Sequence, residues 1–336
     1  MDNNTILMDG RWTGETGIGR ITKELSARLT NIDLINNGPK PLSIANLIWQ
    51  PLKLRNTRQY KAYFSPGFNP VFFTKTPYIT TICDLISLKH PGKYGAIKKA
   101  FFNSFIKPSI KNAHQVFTIS EYSKNSIIEW TNIPPEKIIN ISCGISDIFI
   151  QNQKKANLGF PYILNVGNNK PHKNILRLVK AFYKAKICSS TKLILTSKPS
   201  SEVKRFITKN YLHNRIIFKE RLTEENLAAL YKGAKALIFP SLHEGFGLPI
   251  LEAMASGTPV LTSNQTSCPE IAGNAAFMVD PYDTNEIATG ISRIVNDHKL
   301  RDDLRRKGYE RVKLYTWDKT AKIVSNALNE AISPSH

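Results

Sequence analysis

Glu244 and Glu252 are the side chains best placed to do chemistry. They bound the segment Glu244-Gly245-Phe246-Gly247-Leu248-Pro249-Ile250-Leu251-Glu252. The apolar run Ala236-Leu237-Ile238-Phe239 just before it predicts a buried strand. Pro249 suits a helix start, where a missing N–H costs nothing. A strand, a glycine-bearing loop and a helix start together aim unpaired backbone N–H groups at an anion. Phosphate repels a carboxylate, so the two glutamates point to hydroxyls beside the anion instead. Sugar and ribose hydroxyls meet that description.

Two further loops have the same character. Gly14-Glu15-Thr16-Gly17-Ile18-Gly19-Arg20 follows a short apolar strand signal. Gly17 and Gly19 permit close backbone approach, and Arg20 can pair with phosphate. The spacing G-x-x-G-x-G is not the dinucleotide fingerprint G-x-G-x-x-G, which disfavours an NAD site. A plain tight turn accounts for these glycines nearly as well. Gly167-Asn168-Asn169-Lys170-Pro171-His172-Lys173-Asn174 precedes a helical pattern. Asn174 is an expected helix N-cap, and Lys173 stands where a diphosphate is held at a helix dipole. A capped helix with surface lysines is the competing reading. Taken together, the three loops suggest one diphosphate ligand held across a cleft.

The elements that must position these loops alternate between strand and helix. Strands are predicted at 5–9, 42–48, 63–64, 78–82, 115–119 and 138–141, with helices at 18–29, 94–112 and 120–130. A polar, aperiodic stretch at 151–157 reads as a linker, after which the pattern restarts. Strands are then expected at 162–166, 192–196, 216–219, 236–239 and 259–262. Asp283 and Glu286 predict a capping box for a helix over 284–296, and helices at 298–314 and 316–332 follow. The fold class is α/β: two tandem Rossmann-like, doubly wound domains facing a central cleft. The expected bounds are 1–153 for an acceptor-side domain and 158–315 for a donor domain. Residues 316–336 are expected to pack back toward the first domain.

Composition narrows the classes. A chain of 336 residues with 41% apolar side chains can fill two cores. No run approaches the length of a membrane span, and the N-terminus lacks signal-peptide character. Cys83, Cys143, Cys188 and Cys268 are scattered without metal-like spacing, as expected of free thiols in a reducing compartment. The formal net charge is +20. From Lys53 to Lys124 the only acids are Asp84 and Glu121. Such a field favours nucleic acid, anionic lipid or phosphorylated substrates. No basic-aromatic RNA motif or zinc spacing supports a specific nucleic-acid binder, which remains the alternative of another class.

The chain resembles the family 4 retaining glycosyltransferases of GT-B fold, from about residue 5 to the last helix. The likeness is carried by the E-x7-E element from Glu244 to Glu252 with its glycines and Pro249. The continuation Ala253-Met254-Ala255-Ser256-Gly257-Thr258-Pro259-Val260 belongs to it as well. So do Gly17-Ile18-Gly19-Arg20, Pro171-His172-Lys173-Asn174 and Ile119-Ser120-Glu121-Tyr122-Ser123. The resemblance implies sugar transfer from a nucleotide sugar with retention at the anomeric carbon. It implies that Glu252 binds the ribose and Glu244 the donor sugar near the reacting carbon. Backbone N–H groups around Phe246, Gly247 and Leu248 contact sugar and phosphate, and Lys173 neutralises the leaving diphosphate. Gly17, Gly19 and Arg20 complete the donor-binding set. The family usually needs no metal or other cofactor, and the chain has no D-x-D element.

Two departures stand out. Many relatives carry His-Asp-Leu where this chain has Cys83-Asp84-Leu85, with the histidine facing the acceptor. A thiol does not copy imidazole chemistry, so Asp84 or His90 is the expected substitute; a buried, inert Cys83 is the competing reading. Relatives often place an arginine soon after the glycine that here precedes Asn168, so either one phosphate cation is missing or Lys170, His172 or Arg20 replaces it. Likeness to mannosyltransferases of the family favours GDP-mannose as donor, with UDP- or dTDP-sugars as alternatives. The expected acceptor is a glycan, lipid-linked, in bacterial surface polysaccharide assembly (O-antigen and lipopolysaccharide, capsule or exopolysaccharide). The acid-free stretch 93–107 mixes bulky apolar residues with lysines. It reads either as an interfacial helix on anionic lipid or as a core-facing helix with a basic outer face. The expected location is cytoplasmic, peripheral on the cytosolic face of the inner membrane.

Overall fold

A computed structural model describes residues 6–14, 17–55, 57, 59–90, 92, 94–152 and 154–332. Thr5 of the first expected strand, Glu15 and Thr16 of the first loop, Lys93 and Gln153 lie outside the described residues. The chain forms two compact units, Met1–Gly144 with Thr316–His336, and Ile145–Tyr315.

In the first unit six parallel strands, β1 (Ile6–Asp9), β2 (Ile32–Ile35), β3 (Ala62–Ser65), β4 (Tyr78–Thr81), β5 (Gln115–Thr118) and β6 (Ile138–Asn140), lie in the order β2-β1-β3-β4-β5-β6. β1, β3 and β4 are buried along their whole length, as strands covered on both faces must be. The expected strand at 42–48 is absent. That segment opens the helix Ile44–Arg55, and the edge strand is Ile32–Ile35. The helix is largely inverted: Asn46 and Gln50 are buried together with Leu54, while Ile44, Ile48 and Leu52 face solvent. Its polar face is drawn inward by a buried network. Arg11 Nη1 donates to Asn46 Oδ1 (2.8 Å), Asn46 Nδ2 to Gln50 Oε1 (2.8 Å), and Gln50 Nε2 to the Tyr63 hydroxyl (3.3 Å). Apolar periodicity therefore pointed the wrong way.

The last helix, Trp317–Ile332, packs on the helix Gly17–Ser26 and on β3, and Asp318 pairs with Arg28 at 2.8 Å. Gly144 marks the close approach this requires, since a Cβ there would lie 2.2 Å from the Trp317 nitrogen. The division between units falls after Gly144, ahead of the polar stretch 151–157. The cause is the short helix Asp147–Gln151, whose buried Phe149 meets the Tyr231 ring edge-on at 5.9 Å within the second unit.

The second unit has its own parallel sheet, β7 (Tyr162–Asn165), β8 (Lys192–Leu195), β9 (Ile216–Phe218), β10 (Leu237–Phe239), β11 (Val260–Ser263) and β12 (Ala276–Val279). Its order is β12-β11-β10-β7-β8-β9. β12 is an edge strand, largely half-buried, and carried too little alternation to be read from sequence. From β7 the chain runs outward to β8 and β9, then returns to place β10 on the other side of β7. Ligands of open α/β sheets bind at such a switch point, beyond the strands' carboxyl ends. The loops that follow β7 and β10 are the ones holding Lys173 and Glu244. Asp283 caps the helix Thr284–Asn296 through the N–H groups of Asn285 and Glu286. The expected capping box is open, because Glu286 Oε1 accepts from Asp280 N (3.0 Å) instead.

Candidate active site

The loops after β7 and β10 are tied together. Leu242 N–H donates to the His172 carbonyl (2.8 Å). Asn174 is in the left-handed region (φ 60°) and makes no side-chain cap, contrary to expectation. Its buried Nδ2 donates to the Pro240 and Pro281 carbonyls (2.9 and 2.7 Å), and its Oδ1 accepts from Arg177 (2.5 Å). The asparagine fastens three loops, which is worth more here than a cap.

This fastening brings Lys173 and Glu244 together. Lys173 Nζ donates to both carboxylate oxygens of Glu244, at 2.7 and 2.9 Å, and lies 5.3 Å from the centroid of the Phe239 ring. The loop behind Glu244 is held from the far side. Glu244 N–H donates to Thr266 Oγ1 (3.1 Å), and Ser267 Oγ is shared between the Glu244 and Phe246 carbonyls (3.0 and 2.8 Å). Phe246 is buried edge-on against Tyr315 (5.9 Å). With these carbonyls engaged, the N–H groups of Phe246, Gly247 and Leu248 enter no hydrogen bond among the described residues. Gly247 takes φ 109°, where a side chain is strained, and opens the helix Leu248–Ala255. Three adjacent open donors at a helix start are the kind of group from which an anion accepts hydrogen bonds.

Glu252 sits on that helix, buried, and its Oε2 accepts from the hydroxyl of fully buried Tyr231 (2.9 Å). Tyr231 fixes the orientation of this carboxylate. On the reading that Glu252 binds the ribose, Tyr231→Phe is expected to raise the donor KM by about 10–100-fold, the worth of one charged hydrogen bond, with kcat nearly unchanged. An equal fall in kcat at constant KM would argue against a binding role. Burial, then the charge of Glu244, push the nearby Cys268 thiol up to about 12, so no thiolate forms in the neutral range.

The remaining expected residues divide between the units. Asn168 Oδ1 accepts from Lys170 N (3.1 Å), so at the position where relatives carry a cation this side chain shapes the loop. Lys170 is exposed and His172 buried. Gly17, Gly19, Arg20, Cys83, Asp84 and His90 belong to the first unit. Gly17 begins the helix Gly17–Ser26, and a Cβ on Gly19 would strike the Gly14 carbonyl oxygen at 2.1 Å. Arg20 lies close enough to buried Cys143 to oppose the rise of that thiol. Asp84 Oδ1 accepts from Ile86 N (2.9 Å) at the start of a short helix. Burial pushes the Cys83 thiol well above its ordinary value, as expected of an inert core residue. Tyr231, Thr266, Ser267 and Arg177 were not foreseen. Only Ser267, before Cys268-Pro269-Glu270, had a readable helix-start signal, and its hydroxyl is spent on the site loop. Among the described residues no cluster of His, Cys, Asp and Glu suits a metal ion.

The family described as "Glycosyl transferases group 1" matches residues 146–311, which span the loops of Lys173, Glu244 and Glu252. The chain is 33% identical over 258 residues to the O-antigen chain mannosyltransferase RfbU of Salmonella typhimurium, covering 75% of this chain and 69% of that protein. It is 28% identical over 287 residues to the O-antigen chain mannosyltransferase B of Escherichia coli, covering 80% and 75%. It also resembles the serotype-specific mannosyltransferase WbdA of Escherichia coli, of whose length the match covers 34%. Among solved structures, Anabaena Alr3699/HepE in complex with UDP and glucose superposes with a TM-score of 0.74 at 16% identity, covering 97% of this chain and 99% of that one. Sucrose-phosphate synthase from Thermosynechococcus elongatus gives 0.73 at 20% identity, covering 97% and 98%. Two parallel six-stranded sheets, an E-x7-E loop built on the second, and a relative a third identical over most of its length place this chain in the glycosyl transferases group 1 family, as a glycosyltransferase of GT-B fold.

Proposed function

We propose that the protein transfers mannose from GDP-mannose, with retention of anomeric configuration and without a metal, to a lipid-linked glycan in bacterial surface polysaccharide assembly. One observation carries the site reading. Glu244 and Glu252 bracket three open backbone donors, and Lys173 stands 2.7 Å from Glu244. In this reading the N–H groups of Phe246, Gly247 and Leu248 bind the diphosphate. Glu252, oriented by Tyr231, accepts from the ribose hydroxyls. Glu244 accepts from a sugar hydroxyl near the reacting carbon. As the bond from the anomeric carbon to the diphosphate oxygen breaks, negative charge gathers on the leaving group. It meets fixed amide dipoles, which need no reorganisation, and the ammonium of Lys173. The acceptor oxygen bonds to the same carbon from the same face, and its proton passes to the leaving diphosphate. Gly17, Gly19 and Arg20 offer a second phosphate-facing helix start on the first unit, and Asp84 is the proposed acceptor-side carboxylate. Mannose is supported by the names of the O-antigen relatives, and a peripheral, cytosolic-face location by the charge. No helix among the described residues is long and apolar enough to cross a membrane.

The test is a panel of nucleotide sugars in the presence of chelator, read by thermal shift and by slow release of nucleotide. GDP-mannose is expected to respond alone, and Glu252→Ala to abolish the response. A response confined to UDP- or dTDP-sugars would discard the donor assignment, and activity restored only by divalent cations would discard metal independence.

A further inference from the structure

The helix that begins at Gly95 carries apolar side chains that stay exposed. Over Gly95–Phe101 no residue is buried, and Tyr94 and Ile97 are 60% and 68% exposed. The core-facing reading of this segment therefore fails for its first two turns. Only beyond them, where a π turn at Phe102–Ile106 leads into Lys107–Asn112, do Phe102, Ile106 and Ile110 enter the core. From that core a ladder of rings climbs outward. Phe102 meets Phe101 at 6.4 Å, Phe101 stacks on Phe105 at 5.4 Å, Phe105 meets Phe72 at 6.2 Å, and Phe72 meets Phe73 at 6.3 Å. Phe73 ends the ladder 93% exposed, in the left-handed region (φ 56°). A bulky residue held there in water gains nothing from the fold that would offset its strain.

The charge around this patch has one sign. Between Leu34 and Lys124 the only acids are Asp84 and Glu121. Lys75, Lys98 and Lys99 are exposed beside the apolar side chains and form no ion pair among the described residues. Protruding rings and an isoleucine, flanked by unpaired lysines, match an interface in which apolar groups enter the acyl boundary while cations meet lipid phosphates. A protein partner would leave these lysines to be desolvated against specific acids, whereas a bilayer supplies phosphates without requiring register. We propose that Phe73, Tyr94, Ile97 and Phe105, with Lys75, Lys98 and Lys99, dock the first unit on an anionic bilayer surface. The docking gives a lipid-linked acceptor its purpose and so deepens the functional reading. It is measured without donor or acceptor, so the two can fail separately.

The experiment is co-sedimentation of the full chain with phosphatidylcholine vesicles, with and without phosphatidylglycerol, at low and high salt. The wild type is expected to sediment with the anionic vesicles only, and to be released by salt. Lys98→Glu with Lys99→Glu is expected to weaken binding at least about 10-fold, since each lysine near such a surface contributes about that factor or somewhat less. Phe73→Ser with Ile97→Ser is expected to weaken it comparably while leaving the salt dependence. All these sites are exposed, and donor hydrolysis should be unchanged in both variants. Wild-type protein left in the supernatant with anionic vesicles overturns the proposal, as does binding indifferent to both double variants. Self-association abolished by Phe73→Ser and Ile97→Ser, without vesicle binding, would assign the face to a second copy and equally overturn it.

Discussion

Glu244→Gln is expected to slow sugar transfer by about 10²–10³-fold while binding the free nucleoside diphosphate as tightly as the wild type, or more tightly. In the proposed reaction Glu244 is a charged acceptor at the reacting end of the site, and one preorganised contact of that kind is worth roughly 3–4 kcal/mol of barrier. The retained or improved product affinity follows from the geometry of the Lys173–Glu244 pair. Lys173 gives its ammonium to both oxygens of Glu244 at 2.7 and 2.9 Å. A diphosphate must compete with that carboxylate for the lysine, and a neutral amide competes less well. Lys173→Ala, by contrast, is expected to lose both transfer and diphosphate affinity. It also leaves Glu244 buried without the ammonium it pairs with, which adds a stability cost. Titration of GDP into the variants, followed by single-turnover transfer, separates the two patterns. Equal loss of GDP binding in Glu244→Gln would mean the carboxylate holds the lysine in place for the phosphate, and the competition argument would fall.

Asp9→Ala is expected to be the most destabilising single substitution in the first unit, by about 3–5 kcal/mol. Asp9 is wholly inaccessible. Its carboxylate accepts from Arg11 Nε (2.8 Å) and Nη2 (2.7 Å), from Asn69 Nδ2 (2.9 Å) and from the Tyr63 hydroxyl (3.1 Å). Without it the Arg11 guanidinium stays buried against the Trp49 ring, 4.5 Å from its centroid, with its carboxylate gone. Burial, and then the charge of Asp9, hold the Tyr63 phenol well above its ordinary value, so this hydroxyl remains a donor and needs an acceptor. The same network orients the inverted helix Ile44–Arg55, so the damage spreads to that helix. Because the chain has two units, calorimetry should show one transition moving down by about 10 °C or more while the other stays. A shift of both transitions together would contradict the confinement of this network to the first unit. No shift at all would contradict its energetic weight.

The largely inverted helix also explains what sequence reading could not recover. Periodicity assumes that apolar side chains turn inward. At Ile44, Ile48 and Leu52 they turn outward, because Asn46 and Gln50 satisfy buried partners contributed by Arg11 and Tyr63, residues distant in sequence. The E-x7-E loop was legible for the opposite reason. Its work is done by local devices, namely a strand end, a glycine with positive φ and a proline at a helix start, and each leaves its mark within a few residues.

The sequence by itself determined the α/β alternation, the two-sheet architecture and the E-x7-E loop, since strand runs, turn residues and helix starts are encoded over short spans. Tertiary structure alone decided the Lys173–Glu244 pair, the Tyr231 support of Glu252, the fastening role of Asn174 and the exposure of the Phe73–Ile97 face. Each of these joins residues far apart along the chain, or depends on which partner fails to arrive. The free energy of such contacts is set by burial and geometry, which residue identity and spacing do not specify.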